Sequence, residues 1–145
     1  MQVRNPETRW DWNEIEVDTI DFPPGFQWGV ASSSHQVEGN CNNNWSRWEA
    51  SFKADGTPSI HNGDRSIVAC DHWNRYKEDI ELIKALGVSV YRFSVEWSKI
   101  EPEAGHFDES AIQHYRDVCL ALKAAGITPV VTLHHFTNPL WFEDM

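Results

Sequence analysis

Apolar residues along this chain fall into two alternating patterns. Between about residues 67 and 86, Trp73, Tyr76, Ile80 and Ile83 recur in steps of three and four, which lines one face of a helix. Ala111, Tyr115, Val118, Leu122 and Ala125 repeat that spacing, and Ser110 with Gln113 fits a capping box at the start of the second helix. Each stripe ends at a glycine, Gly87 or Gly126, placed to take the left-handed position that closes a helix. Directly behind each glycine the pattern changes. "VSVYRFSV" (88–95) and "ITPVVTLH" (127–134) are β-branched and aromatic runs of strand length. A third run, "FQWGVA" (26–31), is predicted as a strand ahead of both.

The segments "IKALGVSVYRFS" (83–94) and "LKAAGITPVVTL" (122–133) follow one template of helix end, glycine and strand. A separation of about forty residues marks a repeated βα unit. Strands apolar on both sides, each preceded by a helix, predict a parallel sheet. Pro129 lacks an N–H, but it sits near its strand's start, where that is tolerated. A closed (β/α)8 barrel takes about 250 residues. The expected fold is therefore α/β: the first part of a TIM barrel, with about three strands and two helices. Phe93, Val131 and Leu133 are expected to face the barrel interior. The polar segment "KADGTPSIHNGDRS" (53–66) is expected to be a long loop of the kind that often borders a site.

Charge and composition then exclude several functions. The 145 residues carry a net charge of −10, and lysines and arginines do not cluster. Neither a phosphate backbone nor an anionic membrane is an expected partner. No apolar run approaches the roughly 20 residues of a membrane span. The opening "MQVRNPETRWDWNEIEVD" lacks the apolar region of a signal peptide. Cys41, Cys70 and Cys119 are odd in number and widely spaced, which reads as reduced thiols in a cytoplasmic protein. Eight tryptophans are an unusual number for 145 residues. On count alone they fill space; beside polar strand ends they could also cover the C–H face of a sugar ring.

In a βα barrel, function gathers at the carboxyl ends of the strands. Here those ends read "SSSHQVEGN", "RFSVEWSKIEP" and "HHFTNP", all mixing polar side chains with aromatics. His134 and His135 are adjacent in a strand and point to opposite faces, so they do not make a metal pair.

Three stretches, "FPPGFQWGVASSSHQVEG" (22–39), "ACDHWNRYKEDIELIKALGVSVYRFSVEWSKIEPEAG" (69–105) and "TPVVTLHHFTNPLWF" (128–142), together resemble glycoside hydrolase family 1, the β-glucosidase and β-galactosidase family. The resemblance runs from about Phe22 onward and divides the chain into an extension, 1–21, and an amino-terminal barrel portion, 22–145. It implies an O-glycosyl hydrolase that cleaves terminal β-linked sugars such as β-glucosides with retention of configuration and without a cofactor. It also implies that Gln36 and His135 bind sugar hydroxyls and that Phe136 stacks on or borders the sugar. By the same resemblance Arg92 lies beside the nucleophilic carboxylate, whose ionised form its charge would favour. Phe136 and Thr137 stand where the family more often has Trp-Asp.

Retention needs two carboxylates about 5–5.5 Å apart. The family places its acid/base after the fourth strand and its nucleophile after the seventh, so both are expected beyond Met145. Asn13-Glu14 precedes the first strand and is followed by Ile rather than Pro; Glu38 reads as a structural anchor; Glu96 has no evident acidic partner. No catalytic carboxylate is therefore assigned within these residues. The expected partners are a small β-linked glycoside and the rest of the barrel. The alternatives are a short non-catalytic sugar-binding or assembly fragment, and a phospho-β-glycosidase whose phosphate-binding residues lie elsewhere.

Overall fold

Three short strands, β1 (Gly29–Ala31), β2 (Val90–Ser94) and β3 (Thr128–Thr132), lie side by side in the order β1-β2-β3, both pairs parallel. The structure is a computed structural model and describes residues 22–145. The extension 1–21, with Asn13 and Glu14, lies outside the described residues. Between and after the strands run six helices: α1 (Ser34–Val37), α2 (Asn44–Glu49), α3 (His72–Ala85), α4 (Trp97–Ile100), α5 (Glu109–Ala124) and α6 (Leu140–Glu143). This is a βα sheet that is part of a (β/α)8 barrel.

The register pairs Tyr91 with both Val30 and Pro129, and Arg92 with both Ala31 and Val130. The two long helices, α3 and α5, cover one face of this sheet. Their predicted stripes form the core: Ile80 and Ile83 from α3 join Tyr115, Val118 and Leu122 from α5, together with Ile127, against Tyr91 and Phe93 of β2. Gly87 and Gly126 adopt φ of 74° and 78° and close α3 and α5, the conformation glycine reaches without a Cβ penalty.

Phe93 therefore faces the helices and not the barrel interior. Val131 also lies on the helical side, in an apolar groove with Ile100, Ile112 and Leu120. Alternation fixes which residues share a face, but only the landing of the helices decides which face is outer. The interior face of β2 instead presents Arg92, whose Nε donates to Thr132 Oγ1 on β3 at 2.8 Å.

Two helix starts also differ from expectation. The N-cap of α5 is Asp108, whose carboxylate accepts from the backbone N–H groups of Ser110 and Ala111. Gln113 donates to Asp117 instead of closing a capping box. An ionised carboxylate is a stronger acceptor than a hydroxyl at this position. The start of α3 is at His72 rather than near 67, because Ala69 and Asp71 take left-handed conformations (φ 50° and 55°) that a helix cannot include.

One contact between the long helices is expected to make the fold sensitive to pH. His114 of α5 stacks on Trp73 of α3, with ring centroids 3.8 Å apart. Burial first, then the charges of Lys99 and His72, lower its affinity for a proton. A histidine depressed in the folded state stabilises fully above its unfolded pKa of about 6.5, and that contribution is lost as pH falls through this value toward the folded one. Denaturant midpoints of the complete protein should therefore drop on acidification below about pH 6.5. His114→Phe, which keeps a stacked ring without a titrating nitrogen, should flatten that part of the profile. An unchanged profile in the variant would assign the acid sensitivity to other groups.

Candidate functional site

The carboxyl ends of all three strands open on the same side of the molecule. Their loops enclose a cavity of about 660 Å³ lined by Ser33, His35, Gln36, Trp45, Trp48, Glu49, Ile60, Ser66, His135, Phe136 and Thr137. Gln36 sits on α1, just past β1, and its Oε1 accepts from Ser33 Oγ at 2.7 Å. That contact leaves the amide's two N–H donors without a partner among the described residues. His135 and Phe136 follow β3. Phe136 holds φ at 67° and is 70% exposed; a left-handed aromatic residue is strained and must be held by its neighbours.

The tryptophan wall comes from α2. Asn43 caps this helix: its Oδ1 accepts from Ser46 N–H at 2.9 Å, while Ser46 Oγ receives the Asn43 N–H. The cap fixes the entry angle of α2 and sets Trp45 and Trp48 edge-on, 5.7 Å between centroids. Asn44 ties the same helix to the loop after β3, accepting from Asn138 N–H at 2.9 Å.

At the cavity's edge, Glu49 accepts from Ser66 N–H (3.0 Å) and Oγ (2.9 Å) and pairs with His35 Nε2 (3.0 Å). Asn43 Nδ2 lies 3.3 Å from His35 Nδ1. An amide N–H₂ only donates, so Nδ1 is the acceptor and the proton is on Nε2, facing Glu49. Burial raises the Glu49 carboxyl, but the hydrogen bonds from Ser66 and His35 outweigh it and the group is held below the usual range.

Behind the cavity lie two further carboxylates. Glu38, the acid of the Gln-x-Glu-Gly run, is buried and receives Lys99 Nζ at 3.0 Å and the Tyr115 hydroxyl at 2.9 Å. Burial pushes its carboxyl up, against the pull of the Lys99 ammonium and these hydrogen bonds. Lys99 also donates to the Gly39 carbonyl and lies 4.0 Å over the Trp73 ring. Gly39 itself has φ of +79°, and a Cβ there would meet the Val68 carbonyl oxygen at 2.3 Å, so no larger residue fits this close approach. Glu96 is wholly buried. It accepts from Ser34 Oγ (3.0 Å), Asn43 Nδ2 (3.1 Å), Ser98 Oγ (2.7 Å) and Thr137 Oγ1 (3.2 Å).

Of the residues singled out in the sequence, Gln36, His135 and Phe136 share this cavity, although about a hundred residues separate the first from the others. Arg92 does not line it. It lies on the interior face of β2, exposed, and no carboxylate pairs with it among the described residues. His134 turns away to Asn138, with Nε2 2.9 Å from its Oδ1. The sequence reading missed Trp45, Trp48, Glu49 and the His35 link between Glu49 and Asn43. The tryptophan count was a signal for the first two; nothing in the local pattern pointed to Glu49. Among the described residues, no three His, Cys, Asp or Glu side chains gather as a metal site would require.

A parallel βα sheet with a tryptophan-walled cavity at its carboxyl edge, mostly apolar with a few polar side chains, has the layout of a barrel enzyme site. Comparison with known proteins gives the family. The sequence profile of glycosyl hydrolase family 1 matches residues 18–145, and the chain belongs to that family. It is similar to β-glucosidase A of Thermotoga maritima, 43% identical over 122 residues, which is 81% of this chain and 27% of that protein. It is also similar to β-glucosidase 25 of Oryza sativa subsp. japonica, 41% identical over 132 residues, covering 88% and 26% of the two chains. Among solved structures, the AHE enzyme from Alicyclobacillus herbarius superposes with a TM-score of 0.80 at 36% identity, over 88% of this chain and 29% of that one. The family 1 β-glucosidase of T. maritima gives 0.76 at 40% identity, over 84% and 28%. The chain thus spans little more than a quarter of the length of the relatives it matches.

Proposed function

We propose that residues 22–145 form the amino-terminal part of a retaining β-glycosidase barrel that hydrolyses terminal β-linked sugars such as β-glucosides. In this reading Gln36 and His135 bind hydroxyls of the sugar, Phe136 borders it, and Arg92 supports a nucleophilic carboxylate supplied by the rest of the barrel. The acid/base and the nucleophile both come from outside these 145 residues, and the reaction needs no cofactor. The observation that carries the proposal is the convergence of Gln36, His135 and Phe136, with two tryptophans, on one cavity at the strand ends. An amide with free N–H donors beside an imidazole suits neighbouring hydroxyls, each of which donates and accepts. Exposed indole faces suit the C–H face of a pyranose. A cytoplasmic location is part of this reading, because three widely spaced cysteines, odd in number, suit a reducing compartment.

The test is hydrolysis of nitrophenyl β-glucoside by the complete protein, with the product anomer followed by proton NMR from the first turnovers. The expected result is nitrophenol release with β-glucose appearing before its α anomer. Initial release of α-glucose would exclude retention. Turnover confined to 6-phosphorylated glycosides would replace this reading with the phospho-glycosidase one.

A further inference from the structure

We infer that Glu96 is a positioning residue of this cavity: a single buried carboxylate that ties together three segments forming its walls, two from the connection after β1 and one from the loop after β3. Ser34, which opens α1 and its Gln36, donates to Oε2. Asn43, the cap of α2 and its tryptophans, donates to Oε1. Thr137, next in the chain after His135 and Phe136, donates to Oε2. Ser34 and Asn43 stand at two separate points of the long connection after β1, Thr137 follows β3, and each of the three is itself buried. Glu96 is held from its own side by Ser98, whose Oγ donates at 2.7 Å, and by the Tyr115 hydroxyl, which receives its backbone N–H at 2.8 Å.

The composition of this knot points to geometry rather than to charge. Lys99, three residues along the chain, is half-buried and pairs with Glu38, and among the described residues no Lys or Arg is a hydrogen-bond or ion-pair partner of Glu96. A buried carboxylate without a cation is costly unless several donors satisfy it, and apolar residues would fill the same space at less cost. What the carboxylate adds is two oxygens with divergent lone pairs, enough to hold three segments at once. It also bears on Phe136, whose left-handed backbone persists only while Thr137 is fixed behind it. Its effect on binding rests on the carbohydrate reading above; its effect on loop order does not.

The experiment compares the complete protein with Glu96→Ala, Glu96→Gln, Thr137→Asp and the Glu96→Gln/Thr137→Asp pair. Two readouts are used: the Kd for castanospermine, a polyhydroxylated bicyclic amine of sugar shape, at fixed pH, and hydrogen exchange resolved by peptide. Glu96→Ala should speed exchange together in 33–38, 43–48 and 135–139 and leave the middle of α5 unchanged, with binding weakened on the order of tenfold or more. In Glu96→Gln the carbonyl still faces Asn43 and Ser98, and the amide donates to the hydroxyls of Ser34 and Thr137, which can accept. That variant should stay within about threefold of the parent. Thr137→Asp sets a second carboxylate against Glu96 and should weaken binding on the order of 100-fold. Adding Glu96→Gln supplies an amide donor to the new carboxylate and should recover most of that loss, a non-additivity that general destabilisation does not produce.

Additive effects in the pair, or faster exchange confined to 94–100, would overturn the inference. If Glu96→Ala does not fold, the Gln and Asp variants still decide. If the parent protein fails to bind castanospermine, the carbohydrate reading falls, and the exchange pattern alone judges Glu96.

Discussion

Replacing Gln36 or His135 by alanine in the complete protein is expected to lower kcat/KM for a β-glucoside on the order of 100-fold, while His134→Ala stays within a few-fold. Both affected side chains line the cavity, and both carry groups that can donate to a sugar hydroxyl. Such bonds tighten as the ring distorts toward the transition state, so their loss lowers kcat/KM rather than raising KM alone. His134 differs from His135 by one position in the chain, just past the end of β3, yet it bonds Asn138 and is not among the residues lining the cavity. Steady-state kinetics on the three variants, with circular dichroism to confirm folding, provide the check. Equal and mild effects in all three would remove the sugar-binding assignment.

The second large effect concerns the 145-residue chain by itself. Expressed alone, it is expected to be insoluble, oligomeric or molten, and to release no nitrophenol from nitrophenyl β-glucoside above a buffer blank. Within the described residues, β1 and β3 each pair only with β2, so both outer edges of the sheet present unsatisfied N–H and C=O groups. Val130 and Val131 are exposed, and Leu133 is 79% exposed. An apolar groove of about 440 Å³ beside α5 and Val131 stands open where a further helix would pack. A domain is stable by only about 5–15 kcal/mol, so losing the partners of this much apolar surface should leave little net stability. Sedimentation, amide shift dispersion and dye binding would report the state of the chain. A monodisperse monomer with sharp, dispersed resonances would mark it as a domain in its own right. Any turnover by the chain alone that Glu38→Ala abolishes with folding retained would mark Glu38 as a reaction carboxylate that the reading above sets aside.

The sequence by itself determined the three strands, the two long helices and their order, and left the short helices α1, α2, α4 and α6 unread. Leu122, Val118 and Tyr115 announce α5 because a helix must bury residues that recur every three or four positions. Gly87 and Gly126 announce its end and that of α3 because those sites need positive φ. The strand ends, and with them Gln36 and His135, followed from that order and from the family's motifs. What only the tertiary structure decided was everything that depends on which loops meet. Strand alternation grouped Tyr91 with Phe93 but could not say that their face is the helical one; the packing of α3 and α5 settled it. The cap of α5 passed from Ser110 to Asp108 because the backbone brought the stronger acceptor into range. Glu96 read as an unpaired acid, since its partners Ser34, Asn43 and Thr137 are drawn from segments far apart in the chain. Local patterns record what a residue does within its own element, through helix and strand periodicity. The hydrogen-bond partners of a buried polar group come from wherever the fold delivers a donor, and no local period encodes them.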